Sequence, residues 1–213
     1  MHIKKINQCK DQNELLINLD KYVKMAEEQR TSAVIINTNI IDINEMVKLK
    51  CRIPRCFHFQ SCANCPPFTP DVEVFKKAIR KCNYAILIKY NVEPAEDFAD
   101  RKISLKNAKL HERQIAKIVA EVEIAAFQDG YYLAMGLSCG SCRSYLCNDE
   151  ICQFLDSGRC KFPRVARPSM EAMGIDVYKL VATVGWDIYP IGPEKVHHST
   201  IPSASAVGIV FIA

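Results

Sequence analysis

The chain has little that would hold it in a membrane or on a nucleotide. Its longest apolar runs, such as residues 207–213, are far shorter than the ~20 residues a membrane helix needs. Only 8 of its 213 residues are glycine, and none falls in a phosphate-cradling loop or a dinucleotide fingerprint, so no nucleotide cofactor is inferred. Met1-His2-Ile3-Lys4-Lys5 leads into polar residues with no apolar stretch of the secretory kind, which makes a reducing cytoplasm the expected compartment. Charge is nearly balanced: a formal +4 gives no warrant for a nucleic-acid partner. Repeats, low-complexity tracts and linkers are absent too. A chain that is 49% hydrophobic and of this length buries a real core without disulfides.

Cysteine is what the chain has in excess, eleven in all. Four stand in Cys51-x4-Cys56-x5-Cys62-x2-Cys65, running straight into Pro66-Pro67. Five more stand in Cys139-x2-Cys142-x4-Cys147-x4-Cys152-x7-Cys160, followed by Lys161-Phe162-Pro163. Cys9 and Cys82 are isolated and read as ordinary thiols. In a reducing compartment, clustered cysteines are more often metal ligands or catalysts than disulfides. An odd total also leaves a thiol over if the others pair.

Between the clusters, helical and strand signals alternate. Asp11-x-x-Glu14 resembles a capping box, and Leu15, Leu16, Leu19, Tyr22, Val23 and Ala26 repeat at helical spacing, predicting a helix over 12–29. Residues 33–36 read as a buried strand, and 40–49 as ambiguous, compatible with a short helix. Thr69-Pro70 suits a helix start, with the helix ending near Lys81. Residues 84–90 form the clearest strand, 94–100 an acidic loop, 104–128 a long helix and 131–137 a third strand. Residues 139–160 have little periodicity and read as a loop wrapped around something. A helix is expected from Pro168 to before Gly174. Residues 177–184 are apolar and β-prone, and 206–212 read as a strand. The expectation is one domain over 1–213: a layered α/β fold with a mixed or mostly parallel sheet, helices packed on it and irregular cysteine loops at 51–67 and 139–163.

Soft thiolates select iron–sulfur clusters, zinc or copper(I). Structural zinc favours paired, short-spaced knuckles, whereas iron–sulfur sites tolerate uneven gaps and often carry a proline near the last cysteine. Cys65-Pro66, the x4, x5 and x7 gaps and Pro163 after Cys160 lean towards iron–sulfur. Cys62-x2-Cys65 and Cys139-x2-Cys142 alone fit either. Arg52, Arg55, Arg143, Arg159, Lys161, Arg164 and Arg167 lie within or beside the loops. They suit offsetting thiolate charge, receiving an acidic partner, or simply a solvated basic surface.

Lys50-Cys51 through Cys65-Pro66-Pro67, Gly158-Arg159-Cys160-Lys161-Phe162-Pro163, and the block from Arg167-Pro168-Ser169-Met170-Glu171-Ala172 to Gly174-Ile175-Asp176-Val177 resemble the domain-of-unknown-function 2284 family. The resemblance runs from about Ala33 to the C-terminus. It implies cysteine-based metal binding, with iron–sulfur chemistry in anaerobic metabolism, and no particular reaction. It maps onto Cys51, Cys56 and Cys65 in the first loop and Cys139, Cys142, Cys147 and Cys160 in the second, leaving Cys62 and Cys152 as departures or extras. With Cys62 as a ligand the first site is closed and suits electron transfer; without it, one iron is open for Lewis-acid chemistry.

Eight cysteines are therefore the candidate ligands: Cys51, Cys56, Cys62, Cys65, Cys139, Cys142, Cys147 and Cys160. The expected cofactors are two [4Fe-4S] clusters, one per loop, with zinc as the alternative. The expected role is electron transfer or redox activation of a partner enzyme. The alternatives are an iron–sulfur enzyme (a reductase or sulfur-handling catalyst) with an open iron, and a zinc-binding interaction module. A redox partner protein is expected, a nucleic acid or membrane is not, and homo-oligomerisation stays open. Among other polar residues, His58 reads as a loop residue, His197-His198 as an exposed loop, Ser169 as a helix cap, and Trp186 and Tyr189 as core. Glu171 and Asp176 suit either a helix start or a place behind the ligands.

Overall fold

The computed structural model describes residues 11–99, 101–191 and 201–213. The N-terminal pentapeptide, Cys9 and the His197-His198 pair lie outside them. Four strands form one sheet: β1 (Thr31–Asn37), β2 (Tyr84–Val92), β3 (Met135–Leu137) and β4 (Ala204–Ile212), in the order β1-β2-β4-β3. Every neighbouring pair is antiparallel, with Val34 opposite Leu87, Leu87 opposite Ile209, and Leu137 opposite Ile209.

The layered α/β architecture matches expectation; the strand direction differs, because no adjacent strands in this sheet run parallel. A strand–helix–strand unit does exist. Strand β2, helix α5 (Arg101–Gln128) and β3 follow one another, and β2 and β3 share a direction because each is antiparallel to β4. The C-terminal strand inserts between them. Central β2 and β4 are buried on both faces, so each reads as a continuous apolar run, which is also how parallel strands look.

Alternate side chains serve two cores. Ala85, Leu87, Val207, Ile209 and Phe211 face helices α3 (Val72–Ile79) and α8 (Val177–Thr183). Ile86, Ile88, Val210 and Ile212 face α1 (Gln12–Glu27) and α5. On that second face α5 comes unusually near the sheet. A Cβ on Gly208 would lie 2.5 Å from Val119 Cγ2, and one on Gly136 would lie 2.6 Å from Val119 Cγ1. The two glycines thus set the height of α5, and α5 in turn carries the surface on which the cysteine loops sit.

Several elements depart from expectation. α3 begins after Asp71, not at Thr69-Pro70; the Thr69 hydroxyl donates instead to the Ala172 carbonyl at 3.0 Å. The acidic loop contains a four-residue helix, α4 (Glu96–Ala99). Residues 131–134 turn, leaving only three residues of β3. The helix expected near 168–174 is a single 3-10 turn, Glu171–Met173. Residues 177–184 are β-prone, yet α8 forms there. Asp176 caps it by accepting from the Lys179 amide at 3.0 Å, and Val177, Leu180 and Val181 bury one helical face. Cap and tertiary burial override β propensity. The ambiguous stretch before the first cysteines holds α2 (Glu45–Leu49), capped by Asn44.

Gly208→Ala is expected to destabilise the protein by about 1–3 kcal/mol through overpacking against Val119. A urea midpoint equal to that of the wild type would refute the close approach of α5.

Candidate metal centre

The first cysteine loop is a string of tight turns, not a regular element. Cys56 donates its amide to the Cys51 carbonyl at 3.0 Å, Gln60 to Pro66 at 2.9 Å, and Cys65 to Cys62 at 3.0 Å. The last of these turns brings the Cys62 and Cys65 sulfurs to 3.4 Å.

The second loop has more order than its sequence pattern suggested: it contains α6 (Cys142–Cys147) and α7 (Gln153–Ser157). Helices of six and five residues are too short to display a 3.6-residue period. The loop is pinned at its entry, where the Ser138 amide donates to Pro168 at 2.9 Å and the Met170 amide donates to Ser138 at 3.0 Å. Gly140 then turns at φ +62°, where an added Cβ would lie 2.5 Å from the Glu112 carboxyl carbon. Both the left-handed backbone and the close approach of this buried α5 carboxylate require glycine there. At the far end of α6, Asn148 and Asp149 both have positive φ. The Arg143 guanidinium holds that turn by donating to the Asp149 and Glu150 carbonyls.

The two loops do not keep separate sets of sulfurs. Cys142, at the start of α6, lies 3.9 Å from Cys62, 80 residues away in sequence. Cys62, Cys65 and Cys142 are buried together against Ala116 of α5 and Tyr145 of α6. Ser141 Oγ lies 3.7 Å from the Cys62 sulfur and 3.5 Å from that of Cys65, and Asn64 donates to the Cys142 sulfur at 3.4 Å. Cys147, at the other end of α6, has Cys152 and Cys160 as electrostatic neighbours, and Cys62 beyond them. On the first loop, Cys56 interacts with both Cys51 and Cys65. Cys139 sits on the edge of the α5-side core and acts on Tyr145. The sulfur contacts between the two loops thus run through Cys62, Cys65 and Cys142, and the remaining candidates and Cys152 stand elsewhere on the same two loops. Cys82 lies apart: it is buried in the opposite core, where burial raises its pKa.

Charge explains what such thiols need. Cys62 shares hydrogen bonds with Cys142 and Cys65, which lower its pKa, while the same bonds and burial raise those of the two partners. Burial, then Cys56 and Glu171, push Cys51 up to about 11. Burial, then Cys152 and Cys160, raise Cys147. Ionising several of these thiols together requires a cation among them.

The donor chemistry fits a thiophilic metal, with sulfur supplied by every candidate, Ser141 in hydrogen-bond contact with two of the sulfurs and Asn64 donating to a third. The trio is packed sulfur on sulfur. Among the described residues, no group of three or more His, Cys, Asp or Glu side chains surrounds a metal-sized point.

Sequence reasoning did not single out Ser141, Asn64, Tyr145 or Glu112. The first two stand inside Cys-rich spacings as ordinary polar residues, and Glu112 is one carboxylate on a long amphipathic helix. His58 is a loop residue: its ring meets Phe57 edge-on at 5.2 Å and its carbonyl accepts from Ser61. Glu171 is an electrostatic neighbour of Cys51, and Asp176 caps α8. Ser169 accepts from the Ala172 amide at 3.1 Å, as a cap does. Trp186 packs on the core with Lys89 over its ring, whereas Tyr189 is exposed.

A family model described as a predicted metal-binding protein (DUF2284) matches residues 34–212. No curated protein and no solved structure matches the chain.

Mild diamide oxidation of metal-free protein is expected to join Cys62 to Cys65 or to Cys142, as read by peptide mapping. Cross-links from Cys62 to Cys51 or Cys56 alone would contradict the trio.

Proposed function

The chain belongs to the DUF2284 family of predicted metal-binding proteins, and from that premise we propose that it is a cytoplasmic iron–sulfur protein. It would carry two [4Fe-4S] clusters and serve electron transfer, or the redox activation of a partner enzyme. The observation that supports this reading is the burial of Cys142 of the second loop against Cys62 and Cys65 of the first, in a chain whose two loops carry nine cysteines. One tetrahedral ion uses four thiolates; two four-iron clusters use eight.

The residues that would hold the clusters are Cys51, Cys56, Cys62, Cys65, Cys139, Cys142, Cys147 and Cys160, with Cys152 beside them. When bound, such clusters supply reversible one-electron chemistry. This chain's own contribution is positioning and tuning. Cys62, Cys65 and Cys142 come together on one side of α6, and Cys147 faces Cys152 and Cys160 from its far end. Hydrogen bonds between the sulfurs and Ser141 and Asn64, and burial against Ala116 and Tyr145, are the levers that set a cluster's potential. Cys56 is exposed and Cys51 half-buried, which keeps part of the first loop within reach of a protein partner.

A second reading, zinc, is favoured by one observation. Thiolates about 2.3 Å from a tetrahedral zinc lie roughly 3.8 Å from each other. The sulfur separations of 3.4 and 3.9 Å are close to that. Under this reading the chain is an interaction module with no redox role.

Protein purified without oxygen is expected to be brown, with about eight irons and eight sulfides per chain. A colourless protein with stoichiometric zinc would replace the first reading with the second. A double-variant series tests the sharing between loops. Cys62→Ser and Cys142→Ser are each expected to remove about half of the iron, and the double variant no more than either alone, since both strike one four-thiolate site. Additive loss would assign each loop its own cluster.

A further inference from the structure

A cleft of about 420 Å³ opens between α2, the first cysteine loop and α3. It lies beside the thiols, but no cysteine lines it. Its walls are apolar: Met46 and Leu49 from α2, Phe59, Pro66 and Pro67 from the loop, and Val72 from α3. A second depression of about 440 Å³ continues it past Arg52, Phe59 and Pro67 and adds Arg55. Both volumes fall in the range of small-molecule sites.

Charge along this cleft is divided. Lys48 is committed to structure: its ammonium donates to the Thr69 and Pro70 carbonyls, tying α2 to the segment that leads into α3. Arg52 has no such engagement; among the described residues its guanidinium meets neither a carboxylate nor a hydrogen-bond acceptor. Arg55 reaches only Gln60 Oε1 at 3.4 Å and lies 5.8 Å from the Phe59 ring centre. Among the described residues, neither guanidinium meets a carboxylate. Glu45, the first residue of α2, and Asp71, just before α3, also line the cleft, and the Asp71 side chain makes no capping bond with its own helix. Glu45 and Arg52 are seven residues apart along a helix and its closing turn, roughly 10 Å.

We infer that this cleft binds a small amphipathic carboxylate: the acid group on Arg52 and Arg55, the apolar body along Met46, Leu49 and Val72, and a neutral or cationic far end beside Glu45 and Asp71. Guanidinium matches a carboxylate through two parallel hydrogen bonds. The acidic end admits an amine and repels a second carboxylate. The site goes beyond the metal reading and stands independently of it.

Ligand-observed saturation-transfer NMR on the full-length protein, as isolated, tests this with hexanoate, 6-aminohexanoate and adipate. The first two are expected to bind, and adipate at least about fivefold more weakly, from repulsion at Glu45 and Asp71. Arg52→Ala with Arg55→Ala should cut hexanoate affinity about tenfold or more, through loss of the charged hydrogen bonds. Glu45→Gln with Asp71→Asn should bring adipate close to hexanoate. Absent saturation transfer from hexanoate overturns the assignment, as does unchanged affinity in an arginine double variant that melts like the wild type. Arginine-dependent binding of an acidic peptide without binding of hexanoate also overturns it and makes the cleft a protein dock. Metal content measured on the same samples reports separately on the cysteine site.

Discussion

The interaction on which the rest depends is the burial of Cys62, Cys65 and Cys142 against Ala116, at the middle of α5. Ala116 is fully buried, and its single methyl is what lets three sulfurs lie over the helix. The joint unites chain segments 80 residues apart. Closing so long a loop has an entropic cost that thiol–thiol hydrogen bonds, each worth about 1 kcal/mol or less, do not offset. A permanent link across a loop of this size stabilises a fold by about 4–5 kcal/mol in the chain-entropy account. Metal bound by sulfurs from both loops would act as such a link, and its binding would then be coupled to the folding of this half of the molecule.

Helix α5 is the scaffold that makes the joint possible, and glycine decides how near each neighbour comes. Gly208 and Gly136 admit Val119 on the sheet side. Gly140 admits the Glu112 carboxylate on the loop side. Arg167 bonds Glu123 at 2.7 Å and Lys109 bonds Asp149 at 2.6 Å, so the second cysteine loop and the segment just after it are both tied to the same helix. Both pairs are partly buried, where an ion pair is screened less than at the surface. The thiols of this loop therefore sit on a rigid element, whereas those of the first loop hang from consecutive turns.

The sequence made these parts legible to different degrees, and the reasons are physical. Helices α1 and α5 and strands β1, β2 and β4 are long enough for their periods to show. Strand direction was not legible, since β2 and β4 are buried on both faces and lose the alternation that marks an antiparallel strand. α8 was read as β-prone from Val177, Val181 and Val184, yet the Asp176 cap and burial of one helical face decided the outcome. At the site, cysteine spacing shows which residues are candidates. It does not show which come together, because the approach of Cys142 to Cys62 is made by α5 and α6, and neither lies in the first loop. Family resemblance set Cys62 aside as an extra; it is fully buried and lies between the other two sulfurs of the trio.

The cations around the thiols complete the asymmetry. Beside the second loop, Arg143 is bound to carbonyls, Lys161 pairs with Glu150 at 2.7 Å, and Arg167 pairs with Glu123. Those charges stitch the loop together and have little left for a visitor. Beside the first loop, Arg52 meets no carboxylate among the described residues, and Arg55 has only a neutral amide and an aromatic face. Large apolar side chains stand out nearby: Phe57 is 82% exposed and Ile53 62%. The first loop thus leaves both aromatic surface and arginine charge open to solvent. The second loop is cross-braced by its own charges, whereas the first is held by backbone turns and by the burial of Cys62 and Cys65.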